Sequence, residues 1–332
     1  MTPESEMRSF QAALNEALAE SMQRDPTVFV LGEDVAKPGE GIYGVTRGLE
    51  DRFGRDRVLN TPILEQGIIG LVVGAALGGL RPVAEMMLMD YLVIGLDQLV
   101  NHAAKMSYMT GGRTRVPMTV RTNVGGAFRG AAQHSQSLEA WLMHIPGIKI
   151  AAPSTPADAK GLLTACIEDE NPCVMMEYLT LLMSEEESPV PVGHHAVPLG
   201  KAAIRRAGSD ATLISYGRCM TACMAAADVL AEDAIETEVI DLRSIVPLDL
   251  DAVVESVFRT RRAAVVTSSS ATAGVAAEIS ALLHERLSER LHSPVVRLGA
   301  AHVPMPFVEN LERMVHPTDA TIVSAVRMLC RP

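Results

Sequence analysis

The sequence predicts an α/β protein built from two doubly wound sheet domains in series. In both halves of the chain, short apolar segments typical of buried strands alternate with longer segments of helical apolar spacing. This alternation is the pattern of parallel sheets covered by helices. The chain has 332 residues, which is enough for two domains of ordinary size. Residues 184–199 are rich in proline and acidic residues and show no apolar period. We therefore expect one domain at 1–183, a linker at 184–199 and a second domain at 200–332.

The first half opens with a predicted helix at 7–24, in which Phe10, Leu14, Leu18 and Met22 recur at helical spacing. Apolar segments bounded by turn residues predict strands at 27–31, 57–59, 82–87, 117–121, 148–151 and 173–177. Helical spacing between them predicts helices at 46–53, 65–80, 91–109, 137–144 and 156–169.

The second half repeats this alternation after the linker. The same criteria predict strands at 211–215, 238–240, 263–266 and 295–297, and helices at 219–230, 250–257, 274–291 and 319–329. Each helix follows a strand, so these strands are expected to run parallel in a second sheet.

Composition excludes several classes of function. The formal net charge is −11 and aromatic residues make up 4% of the chain, which disfavours nucleic acid as a partner. The longest apolar run, residues 67–80, is too short to cross a membrane, and the N-terminal residues lack the character of a secretion signal. Five cysteines at irregular spacings fit neither a disulfide scaffold nor a zinc module. These features indicate a cytoplasmic protein.

A glycine pattern at residues 39–44 matches the dinucleotide fingerprint G-x-G-x-x-G. In nicotinamide-binding folds, those glycines lie directly on the turn between a strand and a helix. Here residues 35–38 separate the pattern from the preceding strand, and the next strand ends in Asn60 rather than in an acid. We therefore predict a loop at this position. His194 and His195 lie in the linker without a third ligand at metal spacing.

Two residues have both a functional and a structural interpretation. Glu65 opens a helix that carries Gly70, Gly74 and Gly78 on one face, a spacing that predicts close approach of another backbone. A carboxylate at this place is also what a helix N-terminus favours for electrostatic reasons. His134 follows a glycine-rich loop and precedes a helix, where it is either an active group or a loop histidine.

A set of collinear motifs identifies a family. They are GED at 32–34, TPILEQG at 61–67, GLRPVAE at 79–85, AAQHSQS at 131–137, PGIKI at 146–150, DAKGLL at 158–163 and VIDLRSIVPLD at 239–249. Together they resemble the β subunit of the decarboxylating component of pyruvate, branched-chain and acetoin dehydrogenases. These are thiamine-diphosphate enzymes of transketolase type. The resemblance implies a pyrimidine-binding domain followed by a transketolase C-terminal-like domain.

The resemblance implies roles for particular residues. Glu65 matches the carboxylate that hydrogen-bonds the aminopyrimidine ring of thiamine diphosphate, and Tyr91 matches an aromatic residue that packs on this ring. Ile63 and Met87 match walls of the same pocket. His134 matches a histidine that moves protons around the substrate and the acyl acceptor.

Potassium is a further, less specific implication of the resemblance. Some members of the family bind this ion, largely through backbone oxygens. The corresponding positions in this chain are Met118, Cys166, Ile167, Asp169 and Asn171.

Departures from the family pattern matter as well. The chain lacks the GDG motif that holds the cofactor's diphosphate through magnesium, so the resemblance implies an α subunit that carries it, in an α2β2 assembly. Ser268, His302 and Arg313 stand where relatives often have acids that dock a lipoyl acyltransferase core, which predicts weaker docking. The leading hypothesis is a 2-oxo acid or acetoin dehydrogenase subunit. The alternative is a free-standing two-subunit carboligase or acyl transferase that uses the same cofactor.

Overall fold

A computed structural model describes residues 4–38, 40–126 and 129–331. The chain divides into two compact units. The first comprises the described residues up to Val124 together with Leu142–Leu199. The second comprises those of Gly125–Trp141 together with the chain from Gly200 onward. The segment that carries His134 therefore clusters with the second unit.

Strands and helices alternate through the chain up to residue 199. The strands are β1 (Ser5–Ser9), β2 (Val28–Gly32), β3 (Val58–Asn60), β4 (Arg81–Met86), β5 (Thr119–Val124), β6 (Lys149–Ala151), β7 (Cys173–Tyr178) and β8 (Glu187–Pro191). The α-helices are α1 (Phe10–Arg24), α2 (Leu49–Phe53), α3 (Glu65–Leu77), α4 (Met89–Leu92), α5 (Ala104–Met109), α6 (Glu139–Met143), α7 (Pro156–Glu168) and α8 (Leu179–Leu182).

The central strands of the first unit lie in the order β6, β7, β5, β4, β2, β3, and each pairs with its neighbour in parallel. Every residue of β2, β5 and β7 is buried, as parallel strands covered on both faces require. Helix α7 begins with Thr155, whose side chain accepts a hydrogen bond from the backbone N–H of Asp158, and Pro156 occupies its first turn. The predicted parallel α/β architecture is confirmed in this unit.

Two segments of the first unit differ from the sequence prediction. The helix predicted at 91–109 is interrupted by a 3₁₀ turn at Val93–Gly95 and a π-helical segment at Gln98–Ala103. Gly95 permits this path, because a Cβ atom there would lie 2.6 Å from Cγ1 of Ile69 on α3. The segment predicted as a linker contains β8, which pairs antiparallel with β1.

The second unit contains another α/β sheet. The strands of this unit are β9 (Ala203–Arg206), β10 (Ala211–Ser215), β11 (Thr237–Asp241), β12 (Ser244–Val246), β13 (Ala263–Ser270) and β14 (Val296–Ala300), of which β12 is not part of this sheet. Its helices after residue 200 are α9 (Cys219–Glu232), α10 (Leu250–Thr260), α11 (Val275–Leu287), α12 (Glu309–Val315) and α13 (Asp319–Leu329).

The sheet of this unit has the order β14, β13, β10, β11, β9. All neighbours are parallel except β9, which runs antiparallel to β11 at the edge. Helices α9 and α13 pack on one face around Leu213, Val239 and Ile322, all fully buried. The predicted second α/β sheet is confirmed, with β9 as an additional edge strand.

All five cysteines are free thiols. Among the described residues, no helix is both long and apolar enough to cross a bilayer. Residues 40–44 of the G-x-G-x-x-G pattern form turns and bends, as predicted for a loop. Gly39 of this pattern lies outside the described residues.

Candidate active site

Two carboxylates lie close together in the first unit. Glu33 follows the carboxyl end of β2, and Glu65 is the first residue of α3. Glu33 is only 9% exposed, and burial, with a smaller contribution from the charge of Glu65, raises the pKa of its carboxyl. Its Oε1 atom is buried without a hydrogen-bond partner in the described part of the chain. A ligand that donates a hydrogen bond would satisfy this oxygen.

Tyrosine side chains flank the carboxylates. Burial raises the pKa of the Tyr91 phenol, and the charges of Asp90, Glu33 and Glu65 raise it further. Burial likewise raises the pKa of Tyr43, with Tyr91 and Glu85 as additional causes. The structure therefore brings Glu65 and Tyr91 together, as the resemblance implies. It adds Glu33, whose place at the end of a parallel strand is the signal that could have singled it out.

The start of α3 is open to solvent. No side chain caps this helix, and the Glu65 side chain is partly exposed in the single chain. Ile63 and Leu64, which precede it, are 81% and 57% exposed. Exposed apolar side chains of this size beside a carboxylate form a surface that a flat heterocycle or a partner chain can cover.

Met87 lies just after β4 and is half-buried. Its carbonyl accepts a hydrogen bond of 2.6 Å from the Nδ2 of Asn123 on β5. Asn60 fixes the loop after β2, because its Oδ1 accepts from the N–H of Ala36 at 2.8 Å and its Nδ2 donates to the Ala36 carbonyl at 3.1 Å. Side-chain amides thus hold the segments around the acidic pair.

A buried ion cluster lies on the neighbouring strands β4, β5 and β7. The Arg121 guanidinium donates to Glu85 at 2.7 Å and to both carboxylate oxygens of Glu177 at 2.7 and 2.8 Å. All three side chains are at most 6% exposed. The two carboxylates hold the pKa of Arg121 above its usual range despite burial. We had not predicted this cluster from the sequence.

His134 directly follows a 3₁₀ turn at Ala131–Gln133 and is half-buried. Two residues just before it, Arg129 and Ala131, adopt left-handed backbone conformations with φ of 61° and 57°. Non-glycine residues in this region are strained and occur where the surrounding structure imposes the path. The segment around His134 is therefore held in one particular course.

The same segment is anchored within the second unit by a buried pair. Glu139 on α6 is fully buried, and its Oε1 accepts a hydrogen bond of 3.0 Å from the Tyr216 hydroxyl. Its Oε2 is also buried and has no partner in the described part of the chain. Burial raises the pKa of Glu139 to about 7. The sequence offered no sign of this pair.

The predicted potassium positions lie near one another, yet protein groups already contact several of their oxygens. Nη1 of Arg81 donates to the carbonyls of Ile167 and Asp169, both at 3.1 Å. The Lys149 ammonium pairs with the Asp169 carboxylate, whose other oxygen accepts from the side chain of Asn171 at 2.9 Å. Burial opposes the charge of Asp169, but these contacts hold its pKa below the usual range.

The remaining two predicted ligands are bonded to backbone N–H groups. The Met118 carbonyl accepts from Cys173, and the Cys166 carbonyl accepts from Asp169. Within the described ranges, no group of three or more His, Cys, Asp or Glu side chains could hold a metal ion.

The glycine face of α3 is uncovered. A Cβ at Gly74 would meet no heavy atom of the described chain within 4 Å, and one at Gly70 would meet only Cγ of Gln98 at 3.6 Å. Leu71 and Leu77 on this helix are 51% and 41% exposed. The close backbone neighbour that these glycines predict is therefore not found in the described part of this chain.

Known proteins resemble this chain along most of its length. Residues 6–183 match the family described as transketolase, pyrimidine binding domain, and residues 200–322 match transketolase, C-terminal domain. A split-gene transketolase, solved as an inactive β4 tetramer, has a TM-score of 0.77 at 22% identity, over 97% of this chain and 99% of that one. This structural likeness supports the fold.

Curated relatives are much closer in sequence. The pyruvate dehydrogenase E1 component subunit beta of Rhizobium meliloti is 43% identical over 96% of this chain and 69% of its own length. The beta subunit of an acetoin:2,6-dichlorophenolindophenol oxidoreductase of Cupriavidus necator is 42% identical over 96% of both chains. The 2-oxoisovalerate dehydrogenase subunit beta of Bacillus subtilis is 39% identical over 97% of this chain and 98% of its own. The resemblance predicted from the motifs is confirmed: the chain belongs to the transketolase-like family of β subunits of 2-oxo acid and acetoin dehydrogenases.

Proposed function

We propose that this chain supplies the aminopyrimidine half of a thiamine diphosphate site and, with an α subunit, cleaves a 2-oxo acid or an acyloin. The acyl group then passes to a lipoyl acceptor. The observation that carries this proposal is the placement of Glu65 at the open N-terminus of α3, beside Glu33 and Tyr91. The free cysteines are consistent with a reducing compartment, and we place the enzyme in the cytoplasm.

The residues present fit thiamine diphosphate. An aminopyrimidine is flat and carries both donor and acceptor nitrogens, which suits a carboxylate pair, a tyrosine and the exposed side chain of Ile63. When bound, the cofactor supplies an acidic ring carbon that becomes the nucleophile for the substrate carbonyl. Glu65 holds a proton at a nitrogen of the pyrimidine, Tyr91 packs on its face, and Met87 and Ile63 limit its position.

His134 is proposed as the group that moves protons at the substrate and the acyl acceptor. Its support is the fixed course of the loop, with Arg129 and Ala131 in strained conformations, and the anchor at Glu139. An imidazole has one nitrogen that can accept a proton and one that can donate, which suits proton transfer in both directions.

An α subunit is proposed to bind the diphosphate and magnesium, because this chain lacks a GDG motif. Its contact surface is proposed to include the uncovered face of α3 around Gly70 and Gly74. Glycines on one helix face allow two backbones to approach closely, which supports tight packing in an α2β2 assembly.

Potassium binding at Met118, Cys166, Ile167, Asp169 and Asn171 stays a prediction. The positive groups of Arg81 and Lys149 already contact oxygens at these positions. If the ion is nevertheless bound, replacing potassium chloride with choline chloride will lower the melting temperature of the enzyme. An unchanged melting temperature would contradict potassium binding at these positions.

Weak docking to a lipoyl acyltransferase core is likewise a proposal. His302 and Arg313 are exposed, so each makes the surface less negative than the acid that the resemblance implies at its position. Arg313 also forms an ion pair with Glu309. Ser268 is only 3% exposed and has no direct effect on surface charge. Nanomolar binding of a basic docking domain would contradict this proposal. It would also disfavour the alternative of a free-standing carboligase.

The decisive experiment on the proposed function is the variant Glu65→Gln in the enzyme reconstituted with its α subunit. Glutamine keeps the size of the side chain but cannot hold the proton, so hydrogen–deuterium exchange at the reactive carbon of the cofactor is expected to slow. A positioned acid or base contributes about 10²- to 10⁴-fold, which sets the expected loss.

The matched control is Glu278→Gln, which alters another glutamate in the first turn of a 13-residue helix. This control is expected to exchange at the wild-type rate. If Glu65→Gln also exchanged at that rate, with an unchanged melting temperature, Glu65 would be only a helix-terminal carboxylate. Turnover by this chain without any α subunit would independently contradict the split site.

A further inference from the structure

A cavity of about 560 Å³ lies within the second unit. The charged and titratable residues that line it are Arg129, Arg218, Arg313, Glu309, Glu312 and His316. Its volume falls in the range of small-molecule sites. None of these residues has a role in the proposed cofactor chemistry.

The arginines of the cavity are not equivalently paired. Arg313 forms an ion pair with Glu309, one turn earlier on α12. Arg129 lies over the ring of Phe307, with its guanidinium carbon 5.4 Å from the ring centre. Arg218 is half-buried, yet it makes neither a hydrogen bond nor an ion pair within the described part of the chain. A guanidinium in this situation is a vacant anion partner.

Neither glutamate is positioned as a simple partner for Arg218. Glu309 is engaged with Arg313. Glu312 is 7% exposed and is packed so closely against Gly126 that a Cβ there would lie 2.3 Å from its Oε1 atom. Glu312 also has other interactions of its own.

His316 directly follows α12 and presents two ring nitrogens without hydrogen-bond partners in the described residues. Both nitrogens are buried. Burial, and secondarily the charge of Arg218, lowers the pKa of this imidazole to about 4. The ring is therefore neutral near pH 7, with one N–H donor available. Buried polar groups without partners are rare in folded proteins and call for an explanation such as a ligand.

Charge decides the class of ligand. Three arginines and two glutamates line the cavity, the remaining lining residues are uncharged at neutral pH, and the sum is +1. A monocarboxylate would balance this charge, whereas a doubly charged phosphate would overcompensate it. Helix α9 begins directly after Arg218 with no side-chain cap, and its positive end adds to the attraction of an anion.

We propose that this cavity is a binding site for a small monocarboxylate, with Arg218 as its charge partner and His316 as a hydrogen-bond donor. All residues that line this site belong to the second unit, and the proposal does not depend on the proposed function. Guanidinium and imidazole N–H groups together match the two oxygens of a carboxylate.

The test uses the full-length protein with propionate, inorganic phosphate and chloride as the probes. Propionate is expected to raise the melting temperature saturably and to shift the ring signals of His316 in NMR spectra of ¹⁵N-histidine-labelled protein. Phosphate is expected to bind more weakly than propionate. Chloride at equal ionic strength is expected neither to raise the melting temperature saturably nor to shift the His316 signals. Tighter binding of phosphate than of propionate would overturn the assignment to monocarboxylates.

Two variants locate the site. Arg218→Met removes a charged hydrogen-bond donor and is expected to weaken propionate binding about 10- to 100-fold. Arg286→Met, which changes an exposed arginine on α11, is the control and should leave binding unchanged. If Arg218→Met fails to fold, His316→Gln serves instead, with a smaller expected loss. Wild-type binding by the folded variants, or no saturable binding by the parent protein, would refute the site.

Discussion

The Arg121 cluster in the first unit and the Glu139–Tyr216 pair in the second are buried to a similar degree. They differ in whether a buried carboxylate is paired with a cation or with a neutral hydroxyl. Arg121 lies between two carboxylates, and its guanidinium opposes the rise that burial causes in the pKa of Glu177. Glu139 accepts a hydrogen bond from the Tyr216 phenol and forms no ion pair within the described residues, so burial raises its pKa towards neutrality. Burial alone therefore does not determine pH sensitivity. An opposite charge beside the carboxyl counteracts the effect of burial on its pKa.

The largest expected effect comes from breaking the balanced cluster. Arg121→Met would leave Glu85 and Glu177 buried without their cation, and removing one partner of a buried ion pair costs about 3–5 kcal/mol. The free energy of unfolding from urea denaturation measures this loss. The triple variant Arg121→Met, Glu85→Gln, Glu177→Gln should be less destabilised than the single one. Equal stability of the single variant and the wild type would show that the cluster is not a balanced unit.

Glu139→Gln tests the unbalanced pair. The pKa of Glu139 is about 7 in the folded protein and close to 4.5 when unfolded. The folded state therefore binds the proton more tightly, and its stabilising contribution is fully present below pH 4.5 and lost as the pH rises towards 7. The difference corresponds to roughly 3 kcal/mol. Glutamine cannot titrate, so the difference in unfolding free energy between wild type and variant should change over this pH range.

The neighbours of Glu139 define the control for that experiment. The Tyr216 hydroxyl donates a hydrogen bond to Glu139. The charge of Glu139 contributes to the raised pKa of Cys219. Tyr216→Phe removes the hydrogen bond but leaves the Glu139 carboxyl able to titrate. In the Tyr216→Phe background, the unfolding free energies with Glu139 and with Glu139→Gln should therefore still differ in a pH-dependent way. A pH-independent difference between wild type and Glu139→Gln would mean that the carboxyl stays charged in the fold.

His316 should show the opposite slope. Its pKa is about 4 in the fold and near 6.5 when unfolded, so the unfolded chain binds the proton more tightly. Stability from this group is present above pH 6.5 and lost as the pH falls towards 4. We expect about 2 kcal/mol, below the full linkage value because the ring is partly exposed. His316→Gln should abolish that slope when unfolding is measured from pH 4 to 7. An unchanged profile would place the ring in solvent.

The sequence predicted the parallel sheets well because short apolar strands and helical spacing are local signals. It also predicted that Glu65 and Tyr91 share a site, through family motifs. The Arg121 cluster could have been inferred from register. Arg121 pairs directly with Glu85, while Glu177 pairs with Asn123, two residues further along the same strand and on the same face. Choosing that register requires strand order, which no local pattern supplies.

Other features depend on contacts between distant segments and were missed. The pairing of β1 with β8 joins residues near the two ends of the first unit, and neither strand has a strong apolar pattern. The break in the helix predicted at 91–109 includes Gly95, which packs closely against Ile69, and periodicity cannot show this contact. The Glu139–Tyr216 pair spans 77 residues of chain.

The smallest expected effects come from two helix caps, one in each unit, and they test whether the units unfold separately. Thr155 caps α7 by accepting from the N–H of Asp158, and Thr318 caps α13 in a reciprocal capping box with Thr321. Replacing such a cap with alanine costs about 1 kcal/mol. If the units unfold independently, Thr155→Ala will lower only the transition of the first unit and Thr318→Ala only that of the second. Differential scanning calorimetry resolves the two cases. A single transition that shifts in both variants would show that the two units unfold as one cooperative unit. An unchanged transition temperature in both variants would show that neither cap contributes to stability.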